Sequence, residues 1–151
     1  MGIKIIAQNK KATFQYHIEE KIEAGMVLTG SEVKSLRDGR ASLSDSYAVV
    51  KSGEAFLLNA HIAICPQASY MNHEPKRTRK LLLHKQEIKR LTGKLNEKGF
   101  TLIPLKLYFK AGRAKVELGL AKGKKAFDKR ETIKKKEMKR ELARAFRYKQ
   151  R

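Results

Sequence analysis

The chain lacks much of the chemistry on which enzymes and membrane proteins depend. A single cysteine, Cys65, excludes an internal disulfide and is typical of a protein from a reducing compartment. No apolar run approaches the roughly 18 residues of a membrane span, and the apolar patch around Ile3, Ile5 and Ile6 is too short for the core of a signal peptide. We therefore expect a cytoplasmic protein with no membrane partner.

Catalytic and metal-binding patterns are also missing. The four histidines have no metal-type spacing, and no second cysteine could complete a ligand set. Glu19 and Glu20 are adjacent, so on a strand they would point to opposite faces, which is poor geometry for an acid/base pair. The Gly-Lys-Lys at residues 123–125 lacks the first glycine and the closing Ser/Thr of a phosphate-binding loop. We expect no catalytic residue, no metal and no cofactor.

Acidic residues are few. The chain has 35 Lys+Arg against 15 Asp+Glu, for a net charge of +20, which favours a nucleic-acid partner. An acidic membrane surface is the other candidate, but it usually needs an apolar anchor as well. We interpret the clusters of basic residues as phosphate contacts. They are Lys10 and Lys11; Lys76, Arg77, Arg79 and Lys80; and Lys122, Lys124 and Lys125.

Charge divides the chain into two parts. Residues 121–151 hold 14 positive and 4 negative side chains, so about a fifth of the chain carries half of its net charge. We predict a folded domain over residues 1–122 and a basic C-terminal tail over residues 123–151.

Within the first part, the apolar pattern is mostly of period two, which indicates half-buried strands. It places three sets of side chains on core-facing strand faces. They are Phe56, Leu58, Ala60, Ile62 and Ile64; Leu105, Leu107 and Phe109; and Val116, Leu118 and Leu120.

Turn residues set the predicted strand boundaries. Ser52-Gly53 and the stretch at 110–113 each predict a hairpin. Pro104, inside a strand-like run, predicts an edge position or a bulge. The stretch "YHIEEKIEAGMVL" predicts a strand pair that breaks at Gly25.

Two helices interrupt this pattern. "TGSEVKSLRDG" has Thr29 or Ser31 as an N-cap and Gly39 just past the end. "HKQEIKRLTGKLNEKG" places Ile88, Leu91 and Leu95 on one stripe and is predicted to end at Gly99. The whole pattern predicts a mainly β protein, a small β-barrel with helical additions, and such barrels often bind RNA.

Five sequence motifs, taken together, indicate a specific family. "NKKATFQYHIEEKIEAGMVLTGSEVKSLRDG", "SLSDSYAVV", "GEAFLLNAHI", "RTRKLLLHKQEI" and "AKGKKAFDKRETIK" occur in this order. Together they resemble the SmpB (small protein B) family, the tmRNA-binding proteins of bacterial trans-translation, over essentially the whole chain.

The resemblance implies a fold and a role. The fold is an OB-fold-like closed β-barrel with two or three added helices and a basic tail. The role is non-enzymatic: such a protein binds the tRNA-like domain of tmRNA and delivers it to stalled ribosomes. The implied partners are tmRNA, small-subunit rRNA and the ribosome, and, through the RNA, the elongation factor carrying alanyl-tmRNA. We expect a monomer.

The resemblance also assigns an RNA-binding surface. Asn9, Glu23 and Leu82 match positions that the family uses there. Glu23 is a poor phosphate neighbour, but its carboxylate could accept hydrogen bonds from the N1 and N2 groups of guanine, so that it supplies recognition while lysines supply affinity. The remaining expected tmRNA-binding residues are Lys10, Lys11, Gly25, Lys34, Arg37, Lys80 and Lys122. Glu32 either pairs with a base or holds a loop, and the sequence leaves both open.

The tail is implied to bind the ribosome, in the decoding region and the empty message channel. Its matched motif is Gly123, Lys124, Lys125, Asp128, Lys129 and Arg130. Phe127 replaces a histidine common in the family and keeps a flat ring for stacking. Met138, Leu142 and Phe146 form a thin apolar stripe on a cationic segment, which predicts disorder in the free protein and a helix on the ribosome.

Two other functions compete with this one. A general OB-fold RNA-binding or ribosomal protein would show affinity that follows phosphate count, with no effect of Glu23→Ala on selectivity. An RNA-processing nuclease would need a metal or an acid/base pair, and the sequence offers neither.

Overall fold

A computed structural model describes residues 3–66, 72–97, 99–123, 136–141 and 143–144 of the chain. Its elements are, in order, β1 (Ile3–Gln8), α1 (Ala12–Gln15), β2 (Tyr16–Met26), α2 (Gly30–Arg37), β3 (Ala41–Ser42), β4 (Tyr47–Lys51), β5 (Glu54–Leu58), β6 (His61–Ile62), β7 (Arg79–Leu82), α3 (Lys85–Leu95), β8 (Phe100–Lys110) and β9 (Arg113–Gly123). Residues 136–141 and 143–144 are also helical, and we call them the tail helix.

Six strands form a ring. Antiparallel pairing runs from β8 through β4, β5, β7 and β2 to β9, and β9 pairs with β8 again. The pairing between β4 and β8 consists of one residue pair, Ala48 with Leu102, whereas β1 lines the rest of that β8 edge. The mainly β fold with added helices is therefore confirmed.

The interior of the ring holds the main core. Alternate residues of β9, namely Val116, Leu118 and Leu120, are almost fully buried there, as the period-two pattern predicts. Leu36 of α2 and Leu91 of α3 add to the same cluster and cover parts of the ring that strands leave open. Burying each such side chain stabilises the fold by about 1.5–3 kcal/mol.

Both predicted hairpins are present. Ser52 and Gly53 have φ values of 53° and 75°, and Ala111 and Gly112 have values of 52° and 76°. Two consecutive residues with positive φ make the tight turn whose twist matches that of antiparallel strands. The second hairpin fixes the register of β8 against β9 from Lys110 onward.

Helix α2 begins at a capping box, in which the Thr29 hydroxyl accepts from the Glu32 backbone and the Glu32 side chain accepts from the Thr29 backbone. Thr29 is therefore the N-cap, and Gly39 follows the helix with φ 71°. Helix α3 has Leu91 buried between the half-buried Ile88 and Leu95. It ends at Leu95, earlier than the predicted end at Gly99, whose φ of 90° belongs to the following turn.

One strand-face prediction was wrong because the alternation of buried and exposed side chains shifts by one residue at Asn59. In β5 the buried side chains are Ala55 and Leu57, whereas Phe56 and Leu58 are only partly buried. Asn59 has φ 61°, a left-handed conformation that ends β5 and shifts the alternation by one residue. Beyond it, the predicted Ala60 and Ile62 are buried, whereas Ile64 is 50% exposed.

A second correction comes from the bulge that Pro104 predicts. The register of β8 against β9 shifts between Pro104 and Lys106, which confirms the bulge and leaves Leu105 as an extra residue. Leu107 faces the main core, and Leu105 lies in a separate small cluster under α1 with Ile103. The extra residue therefore separates Leu105 from the face on which the period-two pattern placed it.

The predicted break at Gly25 was also wrong. Strand β2 is continuous from Tyr16 to Met26, and Gly25 pairs with Leu82 on one side and Lys115 on the other. A Cβ atom at this position would lie 3.3 Å from Leu82 Cβ. The glycine serves close packing of two strands rather than a bend.

The most deeply buried charges form one ion-pair network. Glu32 and Arg79 have fully buried side chains, with Arg79 Nε donating to Glu32 Oε2. Arg77 Nη2 donates to the other carboxylate oxygen at 2.6 Å. Arg79 also donates to the backbone carbonyls of Ala60 and Pro75, at 2.7 and 3.0 Å. Arg79 is thus a structural residue, which corrects its prediction as a phosphate contact.

A buried histidine adds a second cross-link. His73 Nε2 donates to the Ile62 carbonyl at 2.9 Å, so that its Nδ1 can accept from the Ser31 hydroxyl at 2.8 Å. These bonds join the start of α2 to β6. Together with the ion pairs, they hold the segment before β7 against the body of the protein.

The tail helix is exposed at each residue whose side chain the structure describes. Among the described residues, no helix is long and apolar enough to cross a membrane. β9 ends at Gly123, the first residue of the predicted tail. The division at residues 122 and 123, and the folding of the tail only on its partner, stay predictions.

Removing one partner from the buried ion pair should be costly. We expect Glu32→Gln to lower the free energy of unfolding by about 3–5 kcal/mol, because it leaves Arg79 buried without its counter-charge. Urea denaturation at neutral pH measures this. Glu54→Gln is the matched control: its pair with Lys80 is about half exposed and should contribute at most about 1 kcal/mol. Equal losses in the two variants would contradict the network's role.

The loss of unfolding free energy in Glu32→Gln should depend on pH. Burial alone would raise the pKa of Glu32, but hydrogen bonds from Arg77 and the Thr29 backbone and the charge of Arg79 hold this pKa below its ordinary 4.5. A carboxyl with a lowered pKa stabilises the fold above its unfolded value and loses that contribution as pH falls through the folded one. The difference between wild type and Glu32→Gln should therefore shrink below about pH 4.5, the ordinary pKa of the group.

Candidate nucleic-acid interface

The outer face of the sheet carries most of the predicted site. Strands β8, β9, β2 and β7 lie side by side, and their alternate residues point away from the core. This face carries polar side chains on β8, β9 and β2 and an exposed leucine on β7. The side chains are Lys106, Tyr108 and Lys110 on β8, Lys115 and Glu117 on β9, Lys21 and Glu23 on β2, and Leu82 on β7.

Glu23 is held in place by two residues from the neighbouring hairpin. The buried Tyr108 donates its hydroxyl hydrogen to Glu23 Oε2 at 2.5 Å, and Lys110 Nζ lies 3.5 Å from the same oxygen. The Glu23 side chain remains 37% exposed. Among the residues described, none forms a hydrogen bond with Oε1, so this oxygen is available as an acceptor.

This environment keeps the carboxylate charged. The hydrogen bond from Tyr108 lowers the pKa of Glu23; partial burial opposes it, and the charges of Lys110 and Lys115 add to the lowering. The pKa of Tyr108 is raised in turn, by its burial and by the hydrogen bond to Glu23. Tyr108 therefore stays a hydrogen-bond donor, and Glu23 an acceptor, over the whole physiological range.

Beside Glu23 the surface forms a groove of about 330 Å³, which also contains Gly25, Leu82 and Lys115. Leu82 is 53% exposed, which is unusual for a leucine within a polar surface. Because Gly25 has no side chain, Leu82 can pack down against β2 and leave the floor of the groove open. The structure thus brings together three residues that the sequence assigned to the site: Glu23, Gly25 and Leu82.

Asn9 lies at the opposite corner of the face. Its backbone N–H donates to the Leu105 carbonyl at 2.8 Å, and its Nδ2 donates to the Pro104 carbonyl at 3.0 Å. The bulge in β8 therefore fixes both the backbone and the amide of Asn9. Asn9 and the exposed Lys10 line a second groove of about 260 Å³, which reaches Lys21 and Glu117 on the same face.

The other predicted basic residues are also exposed. Lys34 and Arg37 are both exposed on α2, as their spacing of three predicts. Lys80 is exposed and pairs with Glu54 at 3.2 Å. Lys122, near the end of β9, lies with Nζ 5.6 Å from the centre of the Phe100 ring. Lys11 is exposed next to Asn9.

The structure resolves one alternative and adds one residue. Glu32, which the sequence left open between base pairing and loop support, is fully buried against Arg79 and holds the loop. Tyr108 is 5% exposed and orients Glu23. Of the residues predicted to bind the ribosome, Gly123 and Met138 fall among the described residues. The others lie outside them, namely Lys124, Lys125, Phe127, Asp128, Lys129, Arg130, Leu142 and Phe146.

Sequence reasoning missed Tyr108, Lys110 and Lys115 as parts of the site. A signal existed: the predicted hairpin at residues 110–113 pairs Lys110 with Arg113 and Tyr108 with Lys115. What the sequence could not show is that β2 lies against β9, which places Glu23 within reach of Tyr108. Among the described residues, no group of three or more metal-ligating side chains occurs.

Comparisons with known proteins find similar chains over almost the whole length of this one. The family model described as SmpB protein matches residues 6–148. A protein of Geobacter sulfurreducens named SsrA-binding protein is 59% identical over 149 residues, which cover 99% of this chain and 97% of that one. A protein of Geobacillus thermodenitrificans with the same name is 60% identical over 147 residues, 97% of this chain and 95% of that one.

A solved structure described as "tmRNA-SmpB: a journey to the center of the bacterial ribosome" contains a similar chain. Its TM-score is 0.67 and its sequence identity 52%, over 79% of this chain and 84% of that one. The likeness therefore extends to most of the fold.

The hydrogen bond between Tyr108 and Glu23 predicts a measurable pKa change. Tyr108→Phe keeps the buried ring and removes only the donor, so we expect the pKa of Glu23 to rise toward its ordinary value of 4.5. Titration of the Glu23 carboxyl by NMR measures it. Lys110→Met should also raise this pKa, because it removes both the charge and the hydrogen bond of Lys110. A larger rise in the lysine variant would show that Lys110, not the hydrogen bond from Tyr108, dominates.

Proposed function

The chain belongs to the SmpB protein family, and from that membership we propose that it is an RNA-binding adaptor: it binds the tRNA-like domain of tmRNA and delivers it to stalled ribosomes for trans-translation. The observation that carries the proposal is the groove at Glu23, Gly25 and Leu82 on a chain of net charge +20. Its relatives named SsrA-binding proteins and the similar chain in a tmRNA–SmpB structure support it.

The groove suits an unpaired base better than a phosphate. Oε1 of Glu23 is an acceptor that Tyr108 and Lys110 leave available, and it would repel a phosphate oxygen. A guanine edge, with donors at N1 and N2, fits such an acceptor. The exposed Leu82 offers an apolar surface for the base or ribose beside it. Recognition in this groove therefore comes from Glu23 and Leu82.

Affinity comes from the charges around the groove. Lys115 lines the groove itself, and Lys110 stands beside Glu23 at 3.5 Å. Lysines at this range can contact the phosphates that flank the base which Glu23 reads. Lys10 and Lys21 extend the positive surface along the groove beside Asn9, and Lys34, Arg37, Lys80 and Lys122 are further exposed cations of the folded domain. This arrangement follows the RNA backbone, which carries no sequence information of its own.

Asn9 adds a second point of orientation. Because its Nδ2 and backbone N–H are fixed to the bulge of β8, its side-chain oxygen has a defined direction. Two fixed acceptors at opposite corners of one face can set the angle at which a folded RNA docks, which distinguishes a tRNA-like shape from other RNA. We expect no catalytic step, and the ribosome, small-subunit rRNA and the elongation factor enter through the assembled complex.

The tail acts on the ribosome in this proposal. Residues 123–151 occupy the decoding region and the empty message channel, with Phe127 stacking on an rRNA base in place of the common histidine. The tail helix presents Met138 at 62% exposure, so this side chain is open for a partner. The folded domain binds tmRNA, and the tail reads the state of the ribosome.

Replacing Glu23 by glutamine separates recognition from charge. The variant raises the net charge, so a purely electrostatic binder should bind every RNA more tightly. We expect the opposite for tmRNA: its affinity should fall about tenfold, while bulk tRNA binds no more weakly, because the carboxylate acceptor is lost. Competition of tmRNA against bulk tRNA at moderate salt measures both.

Glu97→Gln is the matched control for this experiment. It makes the same charge change at an exposed residue after α3, whose only described ion pair is with Lys94 at 3.9 Å. It should leave the preference for tmRNA unchanged. A loss of preference in both variants, or in neither, would refute Glu23 as the recognition residue and favour a general RNA-binding protein.

Truncation after Gly123 tests the division of labour. We expect the shortened chain to keep most of its preference for tmRNA and to lose tagging on stalled ribosomes, with a smaller salt dependence of RNA binding because half the net charge is gone. A full-length variant with Met138→Ser and Leu142→Ser keeps every charge and removes the apolar stripe. It should also fail in tagging. Tagging by the truncated chain, or loss of tmRNA selectivity there, would contradict the proposal.

A further inference from the structure

A third groove lies on the far side of Asn9, between α1 and the turn before β4. It measures about 340 Å³, within the range of small-molecule pockets of about 300–1,000 Å³. We call it the α1 groove. The polar and aromatic residues that line it include Asn9, Lys11, Gln15, Tyr16, Asp45 and Tyr47. Asn9 also lines the groove beside Lys10, so the two grooves meet at that residue.

Tyr47 gives the α1 groove an exposed aromatic surface. It is the first residue of β4 and is 40% exposed, although tyrosine rings in a folded domain are usually covered. Its backbone pairs with Leu58, so the strand fixes the position of the ring. An exposed flat ring on a rigid strand, beside a positive surface, is the arrangement on which nucleic-acid bases stack.

Asp45 gives the same groove a hydrogen-bond acceptor. Its φ of 60° is left-handed, and the turn around it is fixed by the Ser46 hydroxyl and backbone, both of which donate to the Leu43 carbonyl. Asp45 is exposed and has no ion pair with any residue that the structure describes. In a chain of net charge +20, an exposed carboxylate without a counter-ion is available to a ligand that donates hydrogen bonds.

Lys11 completes the set. It is exposed at the start of α1 and lines the same groove as Tyr47 and Asp45. A flat ring, an acceptor and a cation match the three parts of a nucleotide: the base face, the base edge and the phosphate. An anion alone would be repelled by Asp45, and the lining is too polar for an apolar segment. These residues are distinct from Glu23 and Leu82.

We propose that the α1 groove binds one unpaired nucleotide, with its base stacked on Tyr47, an exocyclic amino group of the base donating to Asp45 and its phosphate near Lys11. Only the identity of the RNA depends on the proposed function, because a nucleotide in this groove could come from tmRNA or from ribosomal RNA. The chemistry is the same for both sources, and the experiment below separates them.

The first test uses single nucleotides and does not involve tmRNA. The full chain, labelled with ¹⁵N, is titrated with GMP, AMP, CMP and UMP, and with ribose 5-phosphate as a probe without a base. We expect saturable shifts at the backbone amides of residues 44–47 for the nucleotides but not for ribose 5-phosphate. UMP should bind more weakly, because uracil has no exocyclic amino group. Absence of saturable shifts at these amides would overturn the proposal.

Three variants localise the effect. Tyr47→Leu should weaken nucleotide binding about tenfold, and Tyr47→Phe, which keeps the ring, should stay within about twofold of the wild type. Asp45→Asn preserves a residue that tolerates positive φ and removes the charge, so the weaker binding of UMP should disappear. Equal affinities for Tyr47→Leu and Tyr47→Phe would refute stacking. Both substituted residues are exposed, so each variant should fold, and thermal unfolding checks this.

The second test identifies the source of the nucleotide. Tyr47→Leu and Tyr47→Phe are compared for binding to the tRNA-like domain of tmRNA and for binding to ribosomes without tmRNA. A loss confined to the first RNA identifies a tmRNA nucleotide, and a loss confined to ribosomes identifies an rRNA nucleotide. No loss with either would overturn the assignment to RNA. Failure of Glu23→Gln, by contrast, would affect only the proposed recognition of tmRNA.

Discussion

The buried ion pair of Glu32 and Arg79 is the constraint on which the rest of the structure depends. Two opposite charges with no exposure are tolerated only when their hydrogen bonds are satisfied. Arg79 meets this by donating to Glu32 and to three backbone carbonyls, one after β5 and two in the segment before β7. The pair joins α2 to β7. Because β7 then lies against β2, Leu82 reaches Gly25, and the groove beside Glu23 acquires its shape.

Acidic residues have distinct tasks in this strongly basic chain. Glu32 neutralises the buried Arg79 and the partly exposed Arg77, and Glu23 and Asp45 are left exposed on surfaces that otherwise carry positive charge. Glu23 keeps its charge through a hydrogen bond from a buried tyrosine, so its orientation does not depend on ionic strength to the extent that a surface ion pair does. Lysines attract any polyanion, and the few fixed acceptors limit what can dock closely.

The sequence predicted what local chemistry determines. Ser52-Gly53 and Ala111-Gly112 have the small or flexible residues that tight hairpins need, and β9 places Val116, Leu118 and Leu120 in the main core at a period of two, so all three features were predicted. Asn59 and the residue inserted at Leu105 each shift the alternation by one, and such shifts depend on tertiary packing rather than on residue type. The resemblance supplied Glu23 and Leu82 as site residues. Their partners Tyr108 and Lys115 come from another hairpin, and only the pairing of β2 with β9 brings them together.

The bulge in β8 makes the number of residues in this strand a determinant of the proposed RNA-binding surface. Without Leu105, Pro104 and Lys106 would still face Leu118 and Glu117, and β8 would pair with β9 as a regular ladder. The carbonyl that holds the Asn9 backbone would be gone, however, and so would the side chain packed over Gly119 beneath α1. A single extra residue in an otherwise regular strand therefore anchors one corner of the proposed RNA-binding surface. Insertions and deletions within strands, which are usually considered only as threats to folding, can in this fold add or remove a binding determinant while the sheet persists.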